Sequence, residues 1–144
     1  MGKISVILRT ATRLGPFVYA GVKGVAALMR DNPELARYGQ DLLDRFNGAR
    51  SGRSRPDRLR RSVALLRTQS QARLAEAEDP AETAQAQRWL AQADRLDDAV
   101  ELMAIHRGRR QARDAAAVEA RVEELFAEIF ASSIQYRADR GIEP

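Results

Sequence analysis

Carboxylates are the side chains whose spacing most invites chemistry in this sequence. Asp94, Asp97, Asp98 and Glu101 recur at three- and four-residue intervals, and Glu119, Glu123 and Glu124 form a second cluster. On a helix such spacing gathers them on one face, and two facing helices of this kind could hold a di-metal centre. Those centres also draw a Glu-x-x-His motif from facing helices, and His106 is the only histidine here. With no cysteine in 144 residues, thiolate metal sites and disulfides are excluded. Asp97 and Asp98 also point away from the apolar seam at Leu96 and Val100, so both clusters are expected to be solvated acidic faces. His106 stands beside Arg107, Arg109 and Arg110. A general base needs an acid to orient it, and no spacing nominates one, so His106 is expected to be solvent-exposed or at a helix end. The sequence has no phosphate-binding loop, dinucleotide-binding glycine pattern, nucleophile elbow or zinc spacing. The expectation is a non-enzymatic protein with no catalytic residue, cofactor, metal or small-molecule substrate.

Cations give the second chemical signal. The stretch GARSGRSRPDRLRR at 48–61 holds Arg50, Arg53, Arg55, Arg58, Arg60 and Arg61. Six guanidiniums near phosphates would give strong, salt-dependent, sequence-independent affinity for nucleic acid. No aromatic residue is interleaved for base stacking, and no helix-turn-helix pattern surrounds them. Nucleic-acid binding is therefore the alternative rather than the leading reading. Arg58, Arg60 and Arg61 fall in the first turn of a helix, where cations oppose the helix dipole. An anion nearby would offset that cost, so the stretch reads as an electrostatic clasp. Residues 1–61 carry 13 basic and 5 acidic side chains, a net of +8, and residues 62–144 carry 11 and 15, a net of −4. Such polarity suggests an anionic partner for the first half, or contact between the halves.

These groups need elements to position them, and the periodicity is helical throughout. In residues 3–30 the apolar positions Ile4, Ile7, Leu8, Leu14, Val18, Val22, Val25 and Met29 gather on one side of a helix kinked near Pro16, with Phe17 beside them. Arg9, Arg13 and Lys23 lie opposite, as anion-contacting candidates. This is the pattern of an interfacial helix, and the apolar residues are the candidate docking face for a protein partner or an anionic membrane surface. The cations interrupt any apolar run of about 20 residues, so no membrane span is expected, and no signal-peptide order follows. A reducing, cytoplasmic setting is expected, at the inner face of the membrane if lipid is the partner.

A second short helix starts at Pro33, with Leu35, Tyr38, Leu42 and Phe46 on one face, and stops at Gly48. The next is expected from Pro56–Asp57 to Glu78, with a modest seam ending in Ser70, Leu74 and Ala77. The tetrapeptide DPAE at 79–82 then announces a helix start: Asp79 as cap, Pro80 first, Glu82 reaching back. Ala86, Trp89, Ala93, Leu96, Val100 and Met103 follow in strict three-four spacing. That makes Trp89 a core residue rather than a stacking platform. A turn is expected at Gly108, then a helix over 110–137 with Val118, Val122, Leu125, Phe126, Ile129, Phe130, Ser132 and Tyr136 on a wide apolar face. The fold class is all-α. An amphipathic arm (1–47), an arginine-rich hinge (48–56), a slim antiparallel three-helix, coiled-coil-like bundle (57–137) and a polar tail (138–144) complete the division. A thin, alanine-rich core favours self-association or a protein partner.

Overall fold

A computed structural model describes residues 28–51 and 54–140. Among these residues all regular structure is α-helical: a turn at 28–31, then α1 (Pro33–Ala49), α2 (Arg55–Glu76), α3 (Pro80–Ile105) and α4 (Gly108–Arg140). None of these helices is long and apolar enough to cross a membrane. The chain divides into two compact units, one formed by residues up to Arg45 with residues from Phe126 onward, the other by Phe46–Leu125.

Local chemistry explains where the helices begin. Ser54, in extended backbone, accepts the Asp57 N–H and caps α2, with Pro56 in the first turn. The helix thus starts at Arg55, one residue before Pro56, because the hydroxyl of Ser54 satisfies a donor that would otherwise be orphaned. Asp79 caps α3 by accepting the Glu82 N–H at 2.8 Å. Glu82 does reach back, but to the N–H of Glu78 at 2.8 Å, one residue before the cap. Asp79→Ala is expected to lower stability by about 1 kcal/mol, measured as the shift of a urea unfolding midpoint. An unchanged midpoint would show that Glu82 alone holds this end.

The helix ends also move. Gly48 lies inside the last turn of α1, which runs to Ala49. The chain leaves α3 at His106, whose N–H bonds Met103 O at 3.0 Å. Gly108 has φ +64, a left-handed conformation that side chains resist, so the turn is completed there. The side chain of Gln111 donates to His106 O at 2.8 Å and closes it. From Gly108, α4 runs 33 residues to Arg140.

In the unit 46–125, α2 and α3 pack side by side. Their ion pairs give the register: Arg60 meets Glu101, and seven residues further along α2, Arg67 meets Asp94, seven residues back along α3. The two helices are antiparallel. Leu59, Ser62, Val63, Leu66 and Ser70 are buried on α2, and Ala86, Trp89, Ala93, Leu96, Val100 and Met103 on α3. Ser62 and Ser70 turn their hydroxyls back to Arg58 O and Leu66 O, so neither enters the core as an unsatisfied group. Leu74 and Ala77, expected in the seam, are only half-buried, because the helix ends at Glu76. Ala115, Val118, Val122 and Leu125 are the buried positions on this part of α4.

In the other unit, α1 buries Leu35, Leu42 and Leu43, and the end of α4 buries Phe126, Ile129, Phe130, Ser133 and Ile134. Ser132, expected on the apolar face, is half-buried, and its neighbours Ser133 and Ile134 are the inward pair. Phe126 and Phe130 rings lie 5.7 Å apart. The Arg137 guanidinium lies 3.8 Å above the Tyr38 ring, a cation–π contact that leaves Tyr38 half-buried.

Candidate functional site: an arginine–carboxylate clasp

Three arginines of the 48–61 stretch, Arg50, Arg55 and Arg60, are held by the chain's own acids. Arg55 presents Nε and Nη2 to both oxygens of Glu119, at 2.7 and 2.9 Å, a two-pronged contact that matches guanidinium to carboxylate. Arg50 reaches Glu123 at 2.9 Å, one helical turn further along α4. Arg60 bonds Glu101 on α3 at 2.7 Å and Asp57 on its own helix at 2.9 Å. Arg67 extends the series to Asp94 at 2.6 Å, with Asp97 at 3.8 Å. Arg61 donates to the carbonyls of Ser51 at 3.1 Å and Gly48 at 3.4 Å, tying the end of α1 to the start of α2. A depression of about 170 Å³ lies among Arg50, Arg58, Leu59, Ser62, Glu119, Val122 and Glu123.

Electrostatics follow the geometry. The hydrogen bonds from Arg55 hold the Glu119 carboxyl below the usual glutamate range, reinforced by the charges of Arg55, Arg50 and Arg58 and opposed by partial burial. Glu101 is lowered in the same way by its hydrogen bond with Arg60. A carboxylate whose folded pKa is depressed stabilises the fold above its unfolded pKa, about 4.3 for glutamate, and loses that contribution as pH falls through the folded value. A double-mutant cycle of Arg55→Ala with Glu119→Ala is expected to give a coupling of about 1 kcal/mol or less, because both side chains are about one-third exposed. The coupling should be intact at neutral pH, shrink below about pH 4 and shrink in high salt. A coupling unchanged at pH 3 would show that the pair is not ionic in origin.

The acidic clusters are therefore not only solvated faces. Asp94, Asp97 and Glu101 on α3, and Glu119 and Glu123 on α4, each receive an arginine of the basic segment or its continuation. Among the described residues no group of three or more acids or histidines is placed to hold a metal ion. His106 is half-buried at the end of α3, with Nδ1 3.0 Å from Asp114 Oδ2. Asp114, eight residues away across the turn, is the orienting acid that spacing did not suggest. Met29 is 4 % exposed, and its Sδ lies against Gly39 in α1. The candidate docking residues Ile4, Ile7, Leu8, Leu14, Phe17, Val18, Val22 and Val25, and the cations Arg9, Arg13, Lys23 and Arg53, lie outside the described residues.

No protein-family model, no curated protein and no solved structure matches this chain.

Proposed function

We propose that this protein is a non-enzymatic helical adaptor or scaffold, whose N-terminal amphipathic face docks on a protein partner or an anionic membrane surface. The observation that carries the reading is the clasp. Arg50, Arg55 and Arg60 spend their guanidiniums on Glu123, Glu119 and Glu101. A phosphate backbone would have to displace those carboxylates, which weakens the case for nucleic acid and leaves the arm as the candidate docking element. The helices from α2 onward then serve as the scaffold, with the first part of α4 as the third member of a slim bundle beside α2 and α3. Buried Ala115, Val118, Val122 and Leu125 support that placement through their three-four spacing. Met29, seated in the chain's own core, would anchor the apolar face of residues 3–30 at its C-terminal end.

A photoreactive side chain at position 18, introduced in the full protein and activated in native cells, tests this reading. The expected products are adducts with one protein or with lipid, abolished by Val22→Glu. Crosslinks confined to the protein's own helices would show the arm to be core, and crosslinks to nucleic acid would favour the alternative.

A further inference from the structure

Among the described residues, two large apolar side chains stand exposed: Leu102, 62 % accessible, and Ile105, 72 %. They are three residues apart on the last turn of α3, hence neighbours on one face. Directly after them come Arg107 in the turn and Arg109, Arg110 and Arg113 in the opening turns of α4, all exposed. These four contrast with the arginines of the clasp, since they form no ion pair or side-chain hydrogen bond among the described residues. The first turn of α4 contains no acid, so the helix dipole adds to their positive field rather than compensating it. The nearby acids are accounted for or lie at the margin: Glu101 is held by Arg60, Asp114 faces His106, and exposed Asp98 stands one turn before Leu102.

We propose that this α3–α4 corner is a contact surface for an anionic lipid bilayer. Leu102 and Ile105 enter the headgroup boundary, and Arg107, Arg109, Arg110 and Arg113 meet the lipid phosphates. The pairing of a small apolar wedge with cations unpaired among the described residues is what selects this occupant. A stable protein interface needs on the order of 1,000 Å² with an apolar centre, far more than two aliphatic side chains provide. Nucleic acid would use the cations but leave the aliphatic pair in water, and no aromatic residue stands in this corner for a base to stack on. A bilayer uses both: apolar side chains at the acyl boundary and cations against anionic headgroups. No residue of the N-terminal arm takes part, so the inference goes beyond the docking reading above.

The experiment is co-sedimentation of the full chain with vesicles of phosphatidylcholine, with and without one-quarter phosphatidylserine, at physiological salt. The chain is expected to bind the anionic vesicles preferentially. Each arginine near such a surface contributes about five-fold in affinity, so Arg109→Gln with Arg110→Gln should weaken binding about tenfold or more. Leu102→Gln with Ile105→Gln should weaken it comparably. Arg95→Gln with Arg121→Gln, which removes the same charge from exposed positions on α3 and α4, should leave it near the original value. Because the chain has no cysteine, Ile105→Cys accepts a single polarity-sensitive dye. Its emission should shift to the blue on adding anionic vesicles, while a dye on Gln87→Cys should not respond. Equal losses from the corner and control pairs would overturn the proposal, as would retained binding in the aliphatic pair or a silent dye at position 105. Binding abolished by Val18→Glu with Val22→Glu but untouched by the corner variants would leave the docking reading standing and remove this one. Preference for an oligonucleotide or an acidic protein over the vesicles would also remove it.

Discussion

Trp89→Ala is expected to destabilise the protein by about 3–5 kcal/mol, a large share of the roughly 5–15 kcal/mol available to a domain. Trp89 is 2 % exposed and lies midway along the buried row of α3, between Ala86 and Ala93. Both neighbours are alanine, so no adjacent large side chain on that row can close the cavity. The cost of truncation depends on how far a site collapses, and this one is poorly equipped to do so. Trp89→Phe should recover much of the loss, because it keeps most of the buried area. Urea unfolding followed by circular dichroism measures both. The same residue tests the functional alternative without substitution, since it is the chain's single tryptophan. A core indole should resist soluble quenchers and ignore added oligonucleotide. Quenching by oligonucleotide, or an alanine variant that unfolds at the original midpoint, would return Trp89 to the role of a stacking platform.

The row that buries Trp89 was legible in the sequence because three-four spacing depends only on the helix period. The turn before it was legible too, since Asp79, Pro80 and Glu82 carry their own hydrogen-bonding instruction. Together these also contain more than their individual signals. Once α2 and α3 fold back through residues 77–79, the arginines of α2 run antiparallel past the acids of α3, and the ion pairs set the register at Arg60 with Glu101 and Arg67 with Asp94. The acidic run on α3 could thus have been matched to the arginines of α2 as a face, though not pair by pair. The partners on α4 could not. Their position depends on the path through His106–Arg107 and on the left-handed Gly108, and torsions at a turn leave no periodic trace. Arg55 and Glu119 meet at 2.7 Å across 64 residues of chain. Surface exposure at Leu102 and Ile105 was equally hidden, because an apolar residue at a helix end reads in sequence as the continuation of a seam.

The space beside Gly39 was not legible in the sequence, and Gly39→Leu is expected to cost about 1–3 kcal/mol. A glycine within a helix is ordinarily a weakness of about 1 kcal/mol relative to alanine, so its presence in the middle of α1 asks for a packing reason. A Cβ built there would collide with Met29 Sδ and stand 3.3 Å from the Phe130 ring and 3.4 Å from Ile134 Cδ1. The missing side chain is the space in which those three groups converge. Gly39→Ala should be close to neutral, because the gain in helix propensity offsets the displacement of a flexible thioether. A leucine cannot be accommodated so easily, since the ring and the isoleucine also border the space. Met29→Ala should remove part of the leucine penalty, giving a favourable coupling on the order of 1 kcal/mol in a double-mutant cycle. Thermal unfolding of the four proteins measures it. Strict additivity would mean that Met29 and Gly39 do not share this space, and the link between the start of α1 and the residues before it would then need another origin.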